Sequence, residues 1–152
     1  MKNILTVLLL ATLFSSCNQA AINTTDKGIK APVDSLITNW ENNWNKHDSA
    51  AVRNMFAANA ILVDDNLVTS NAAEISEKWI HPSFNVISNL KSTKLQEWSE
   101  GNRAGYIGKY SLEVVVKDSV VARPEGVFSV SWVKTEKGDW KITSAIIYSF
   151  KK

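Results

Sequence analysis

Two adjacent carboxylates, Asp64 and Asp65, close the stretch Met55 to Asp65, MFAANAILVDD, behind the apolar run Ala60-Ile61-Leu62-Val63. An apolar strand that delivers an acid into an aromatic enclosure disfavours its charged form, and that is how a carboxylate becomes a useful base. Asp64 is the candidate catalytic residue, whereas Asp65 and Asn66 read as turn chemistry. Trp40, Trp44, Trp79, Tyr106, Tyr110, Phe128 and Trp132 are candidates to line a pocket for a small apolar or aromatic molecule. Gly108, between the two tyrosines, is expected to leave space there. For any one of these rings, plain core packing is the competing reading.

Other chemistries find no residues. His47 precedes Asp48 at a helix end, where the dipole favours an imidazolium. His81, before Pro82, stands near the expected pocket, but no Cys, His or acid lies at ligand spacing from it, so no metal is expected. Arg123 reads as an exposed edge charge. No serine or cysteine nucleophile motif and no glycine-rich phosphate loop occurs, and no cofactor is expected.

At 152 residues, with 45% apolar and 21% charged residues, the chain suits one globular domain with a real core. Its formal charge is +2, or +1 without Lys2. The longest basic run is Lys151-Lys152, so no nucleic-acid partner is expected.

The N-terminus, MKNILTVLLLATLFSSC, has one early lysine, an apolar run from Ile4 to Phe14 and small residues before the only cysteine. The run is too short to span a bilayer and reads as a secretory signal. Its ending, Leu13-Phe14-Ser15-Ser16-Cys17, resembles the bacterial lipoprotein signal. That resemblance implies a signal over 1–16 and lipidation at Cys17. It also implies a membrane-tethered, extracytoplasmic protein, periplasmic or on the cell surface. With no partner cysteine for a disulfide, lipidation also explains the lone thiol. Residues 17–31 read as lipidated Cys17 and a polar tether, and 32–152 as the folded domain.

Within that domain Pro32 opens a helix whose Val33, Leu36, Ile37, Trp40 and Trp44 form one apolar stripe. Asp48 caps a second helix, Ser49 to Ala57, and Asn71 with Glu74 forms a capping box for a third carrying Ile75, Trp79 and Ile80, which Pro82 ends or kinks. Ala60 to Val63 is the first strand. From Asn89 the period becomes two, giving strands over Leu90 to Ser99, Arg103 to Val116, Val120 to Lys134 with a bend at Arg123-Pro124-Glu125-Gly126, and a last one from Trp140 to Phe150. Helices followed by strands, without βαβ alternation, predict an α+β domain: three N-terminal helices packed on a curved, mainly antiparallel β-sheet.

The Trp40-to-Asp48 helix end, MFAANAILVDD, the NAAEI helix start and the closing hairpin VSWVKTEKGDWKI together resemble the nuclear-transport-factor-2-like superfamily, which includes ketosteroid isomerase and SnoaL-like cyclases. The resemblance covers about Val33 to Phe150 and implies a cone-shaped fold. It gives Asp64 the place of the isomerase's proton-shuttling aspartate. It sets Trp40 where that enzyme has an oxyanion-holding tyrosine, and Gly126 where it has its second donor. Both donors are therefore replaced, and steroid isomerisation is not expected. Three readings stay open: a module binding a small apolar molecule, oriented by Asp64 with Trp40; an isomerase, cyclase or hydratase using Asp64 as base; and a homodimer or interaction module. For the last, Ile107, Val115, Val127, Val133 and Ile147 are expected on the outer sheet face.

Overall fold

The computed structural model describes residues 30–151. The expected signal over 1–16 and the lipidation site Cys17 lie outside the described residues. Ala31, which the sequence reading puts in the tether, packs into the core. Ala31 is buried, and its N–H donates to Ser99 Oγ at 2.9 Å.

Two helices, α1 (Val33–Asn45) and α2 (Ser49–Asn54), precede a hairpin of β1 (Phe56–Asp64) and β2 (Leu67–Thr69). A third helical segment follows: α3 (Ala72–Ile75), a π turn (Ser76–Ile80) and α4 (His81–Ser83). The remaining strands are β3 (Ile87–Glu100), β4 (Arg103–Val116), β5 (Ser119–Ala122), β6 (Glu125–Lys134) and β7 (Trp140–Ser149). The sheet order is β2-β1-β7-β6-β4-β3, with β5 also paired to β4. Every pairing is antiparallel except β1 with β7. The architecture is α+β, with the helices lying over one face of a strongly curled sheet.

Capping chemistry sets the helix starts. Asp48 Oδ1 accepts from Ala51 N at 2.9 Å, and Asn71 Oδ1 accepts from Glu74 N at 2.9 Å. Glu74 closes its side of the box one residue early, on Ser70 N at 3.1 Å. Side-chain caps of this kind are each worth about 1 kcal/mol. The stripe of α1 faces the sheet, with Val33, Ile37 and Trp44 buried. Asn45 then fixes the helix end to β3: its amide accepts from Leu90 N at 2.7 Å and donates to Leu90 O at 2.9 Å. That contact falls where the β3–β4 register shifts, between Ser88 and Lys91, so the side chain serves backbone groups beside the irregularity.

Three local readings are corrected. The first strand begins at Phe56, and α2 ends at Asn54 rather than Ala57, because Ile142 N donates to Met55 O at 2.7 Å and Phe56 pairs with Ile142. Neighbouring β7 captures a segment that local propensity assigns to helix. The third helix is not simply ended by Pro82. It widens into the π turn, with His81 N–H donating to Ser76 O, and runs on through Ser83. Pro82 has no N–H for the carbonyl four residues back, so an α-turn would be incomplete there. Finally, β7 does not alternate throughout. Its pairing with β6 jumps from Trp132↔Ile142 to Ser131↔Ser144, leaving Thr143 as a bulge. Beyond it the faces exchange, so Ala145 is buried, Ile147 points into the cone, and Ile146 and Tyr148 are exposed. Ile147 therefore leaves the expected outer face.

Candidate functional site

Asp64 ends β1, between Leu67 of the hairpin and Ile147 of β7. Its carboxylate is half-buried, and Oδ2 accepts from Trp79 Nε1 at 2.6 Å. The donor is Trp79, a contact the sequence reading does not contain, while Trp40 lines the same cavity. The π turn accounts for this. An i→i+5 turn stacks Ile80 over Ile75 with Trp79 beside it, and all three are buried. In a regular α-helix Ile80 would be rotated about 140° from Ile75. Trp40 instead supplies its ring, stacked on Trp79 with centroids 5.9 Å apart and planes 19° apart. Trp44 meets Trp79 edge-on at 5.1 Å, and Phe56 closes the cluster at 6.1 Å from Trp40.

The three tryptophans and the inward face of the sheet border a half-open cavity of about 230 Å³. Trp40, Trp44, Trp79, Tyr110 and Phe128 line it together with Asp64. Tyr106 and Trp132, also expected there, do not. The Tyr106 ring lies across Gly108 and against Phe128, with a centroid distance of 5.4 Å. Gly108 therefore accommodates a neighbouring ring rather than opening the pocket. Trp132 borders a void of about 10 Å³ deeper in the cone, which is filled core. His81 lines a separate open depression with Arg53 and Glu77, away from the cavity. Arg123 is exposed and paired with Glu113 at 3.0 Å.

One polar row crosses the cavity wall. Ser92, Tyr110, Gly126 and Ser149 are successive cross-strand partners on β3, β4, β6 and β7. The Tyr110 ring lies over Gly126, so its hydroxyl meets Ser149 Oγ at 2.9 Å. A side chain at Gly126 would displace it. The position at which the resemblance places an acidic donor thus holds a glycine covered by a tyrosine–serine pair. The sequence pattern does not mark Ser149, because the bulge at Thr143 decides which face it occupies.

Burial pushes the Asp64 carboxyl above the ordinary value of 3.8; the Trp79 N–H opposes this, and the charge of Asp65 adds to it. The Tyr110 hydroxyl is also raised, by burial first and further by Asp64 and Asp65, while its bond to Ser149 lowers it. Asp65 is the turn member, at φ 48°, and its Oδ1 accepts from Ser149 N at 3.1 Å. No Lys, Arg or His among the described residues lines the cavity. Two buried polar side-chain atoms, Trp44 Nε1 and Ser92 Oγ, find no partner among the described residues, and both belong to lining residues. Among the described residues no three His, Cys, Asp or Glu side chains converge as a metal site, and no helix is long and apolar enough to cross a membrane.

No protein-family model matches the chain, and no curated protein matches it. Solved structures do. One is a nuclear transport factor 2 (NTF2-like) superfamily protein from Salmonella enterica serovar Typhimurium, with a TM-score of 0.67 and 15% identity, covering 79% of this chain and 89% of that one. Another, an NTF-2 like protein of unknown function from Shewanella oneidensis, matches with a TM-score of 0.63 and 18% identity over 76% of this chain and 95% of the other. A ketosteroid isomerase-like protein from Erwinia carotovora matches with a TM-score of 0.66 and 10% identity over 79% and 95%. At these identities the likeness is one of fold: the chain has the nuclear-transport-factor-2-like cone.

Proposed function

We propose that this domain binds a small, largely apolar molecule in the cone, with Asp64 as its polar anchor. The observation that carries the reading is the half-open aromatic cavity of about 230 Å³ with one half-buried carboxylate on its wall. An apolar cavity of roughly 150 Å³ suffices for benzene, so this one suits a single ring with substituents. The unpartnered Trp44 Nε1 and Ser92 Oγ belong to the same wall, and buried polar atoms without partners are uncommon in folded proteins. Binding is preferred over catalysis because neither oxyanion donor of the resemblance is kept in kind: position 40 carries an indole in place of the tyrosine, and Gly126 has no side chain. Three of the protein's six tryptophans line the cavity, so their emission reports occupancy. Toluene titrated into the protein should shift that emission saturably, and Leu112→Trp, which fills the cavity from β4, should abolish the response. An unsaturable response unchanged in Leu112→Trp would refute the reading.

A second reading rests on the outer face of the sheet. Val68, Val63, Ile146, Ser129, Ile107 and Gln96 are successive cross-strand partners across six strands, with no charge among them. Ile146 is 55% exposed and Val68 64%. A continuous uncharged row of this length suits an isologous contact with a second copy of the chain. We further propose that the protein is lipid-anchored at Cys17 in the bacterial cell envelope. The signal-like N-terminus that ends on Cys17 supports this. Cys17→Ala should move the protein from the membrane fraction to the soluble fraction.

A further inference from the structure

Asp64 stands in an unusual electrical setting. Oδ2 is satisfied by Trp79, while among the described residues no other group donates to the carboxylate and no cation pairs with it. Its charged neighbours are acidic: Asp65 follows it on the β1–β2 turn, and the Tyr110 hydroxyl on β4 carries no positive charge. From α1, Glu41 sends a further carboxylate to the β3 side of the cone, where it accepts from Ser92 N at 2.5 Å. Also on β3, Lys94 is already held by Asp34 at 2.9 Å and Glu97 at 3.1 Å. The remaining walls are aromatic and aliphatic side chains, Pro124 and the uncharged hydroxyls of Ser83, Ser92 and Ser149.

An unpaired carboxylate in an apolar enclosure is costly unless a donor meets it, and an anionic ligand would worsen the imbalance. A neutral apolar ligand would leave it unchanged. An ammonium group corrects it: its N–H reaches the free carboxylate oxygen, its charge is matched, and aromatic walls favour cations at their faces. We propose that the cone selects small organic cations, primary or substituted amines carrying one aromatic or branched aliphatic group, with the ammonium at Asp64. This rests on the binding reading and narrows it to a ligand charge.

Four probes with the same ring separate the two claims: benzylamine, which is protonated at neutral pH, benzyl alcohol, benzoate and toluene. Each is titrated into the purified protein at pH 7, with binding read from tryptophan emission and calorimetry. The amine should bind about tenfold to a hundredfold more tightly than the alcohol, the span between charge-assisted and neutral hydrogen bonds, and benzoate should not bind. Asp64→Asn should bring amine and alcohol within about threefold of each other while toluene binds as before. If toluene and the alcohol bind as well as the amine in the unaltered protein, the cation proposal is wrong and the cavity reading stands. Should none of the four bind, both fall. Preferential binding of benzoate would overturn the charge argument outright.

Discussion

Gly126 is the position at which a single methyl group should do the most damage to the cavity. A Cβ there would sit 2.1 Å from the Tyr148 carbonyl oxygen and 2.6 Å from Tyr110 Cε1. The first distance falls short of the 3.4 Å at which ordinary contact begins by about 1.3 Å. Its partner there is backbone, so no rotamer change relieves it and β6 must move away from β7. Overpacking of this kind costs about 1–3 kcal/mol, and losing the Tyr110–Ser149 hydrogen bond adds about 1 kcal/mol. The sum, roughly 2–4 kcal/mol, corresponds in a domain of this size to a fall in Tm of roughly 10–20 °C. Thermal unfolding of Gly126→Ala followed by circular dichroism measures it. Gly101→Ala is the control: its φ of +54° disfavours a side chain, but nothing lies within 4 Å, so about 1 kcal/mol and a few degrees are expected. Adding Tyr110→Ala to Gly126→Ala removes the ring clash and leaves the carbonyl clash, so rescue should be partial. A Gly126→Ala protein melting no lower than Gly101→Ala would refute the arrangement of Tyr110 over Gly126.

Asp64 binds its proton more tightly folded than unfolded, so its contribution to stability is complete below about pH 3.8 and is lost as the pH rises through the raised folded value. Asp64→Asn removes that loss: Tm of the variant minus Tm of the parent should grow from acid to neutral pH, and a difference independent of pH would contradict the burial argument. Trp79→Phe deletes the N–H that holds the carboxyl down, so the Asp64 pKa, followed by carbon NMR of the labelled side chain, should rise further. A fall would show that Trp79 does not donate to it. If the outer row pairs two copies, sedimentation should give a dimer for the parent and a monomer for Ile146→Asp; a parent that sediments as a monomer at tens of micromolar rules out the pairing.

The helical half of the fold is legible because its signals are local. A stripe at spacings of three and four, an Asp before Ser49 and an Asn three residues before Glu74 each specify a helix start, and each cap forms. On β4 and β6 strict alternation identifies the inward rings, since both strands are regular against each other from Arg103 to Ser111. The same alternation misplaces Ile147, because no residue type announces the bulge at Thr143; it follows from pairing with β6. Asp64 is readable from its place at the end of an apolar strand. Its partner is not, because choosing Trp79 over Trp40 depends on a π turn that arises only when Ile75, Trp79 and Ile80 are buried together. Gly108 is misread for a simpler reason: space beside a glycine can be filled by a neighbour, and Tyr106 fills it.

The bulge at Thr143 also makes β7 a strand with two reading frames. Upstream of it, even-numbered residues face the cone; downstream, odd-numbered ones do. Straightening the strand with every residue kept would turn the distal half inside out, bringing Ile146 and Tyr148 to the cavity wall and sending Ile147 and Ser149 to the surface, whereas deleting Thr143 would leave each of them on its present face. The extra residue at Thr143, and not the identity of the side chains beyond it, thus decides which of them line the pocket and which form the outer face. A change that relaxed the bulge without shortening the strand would alter ligand and partner surfaces in the same step.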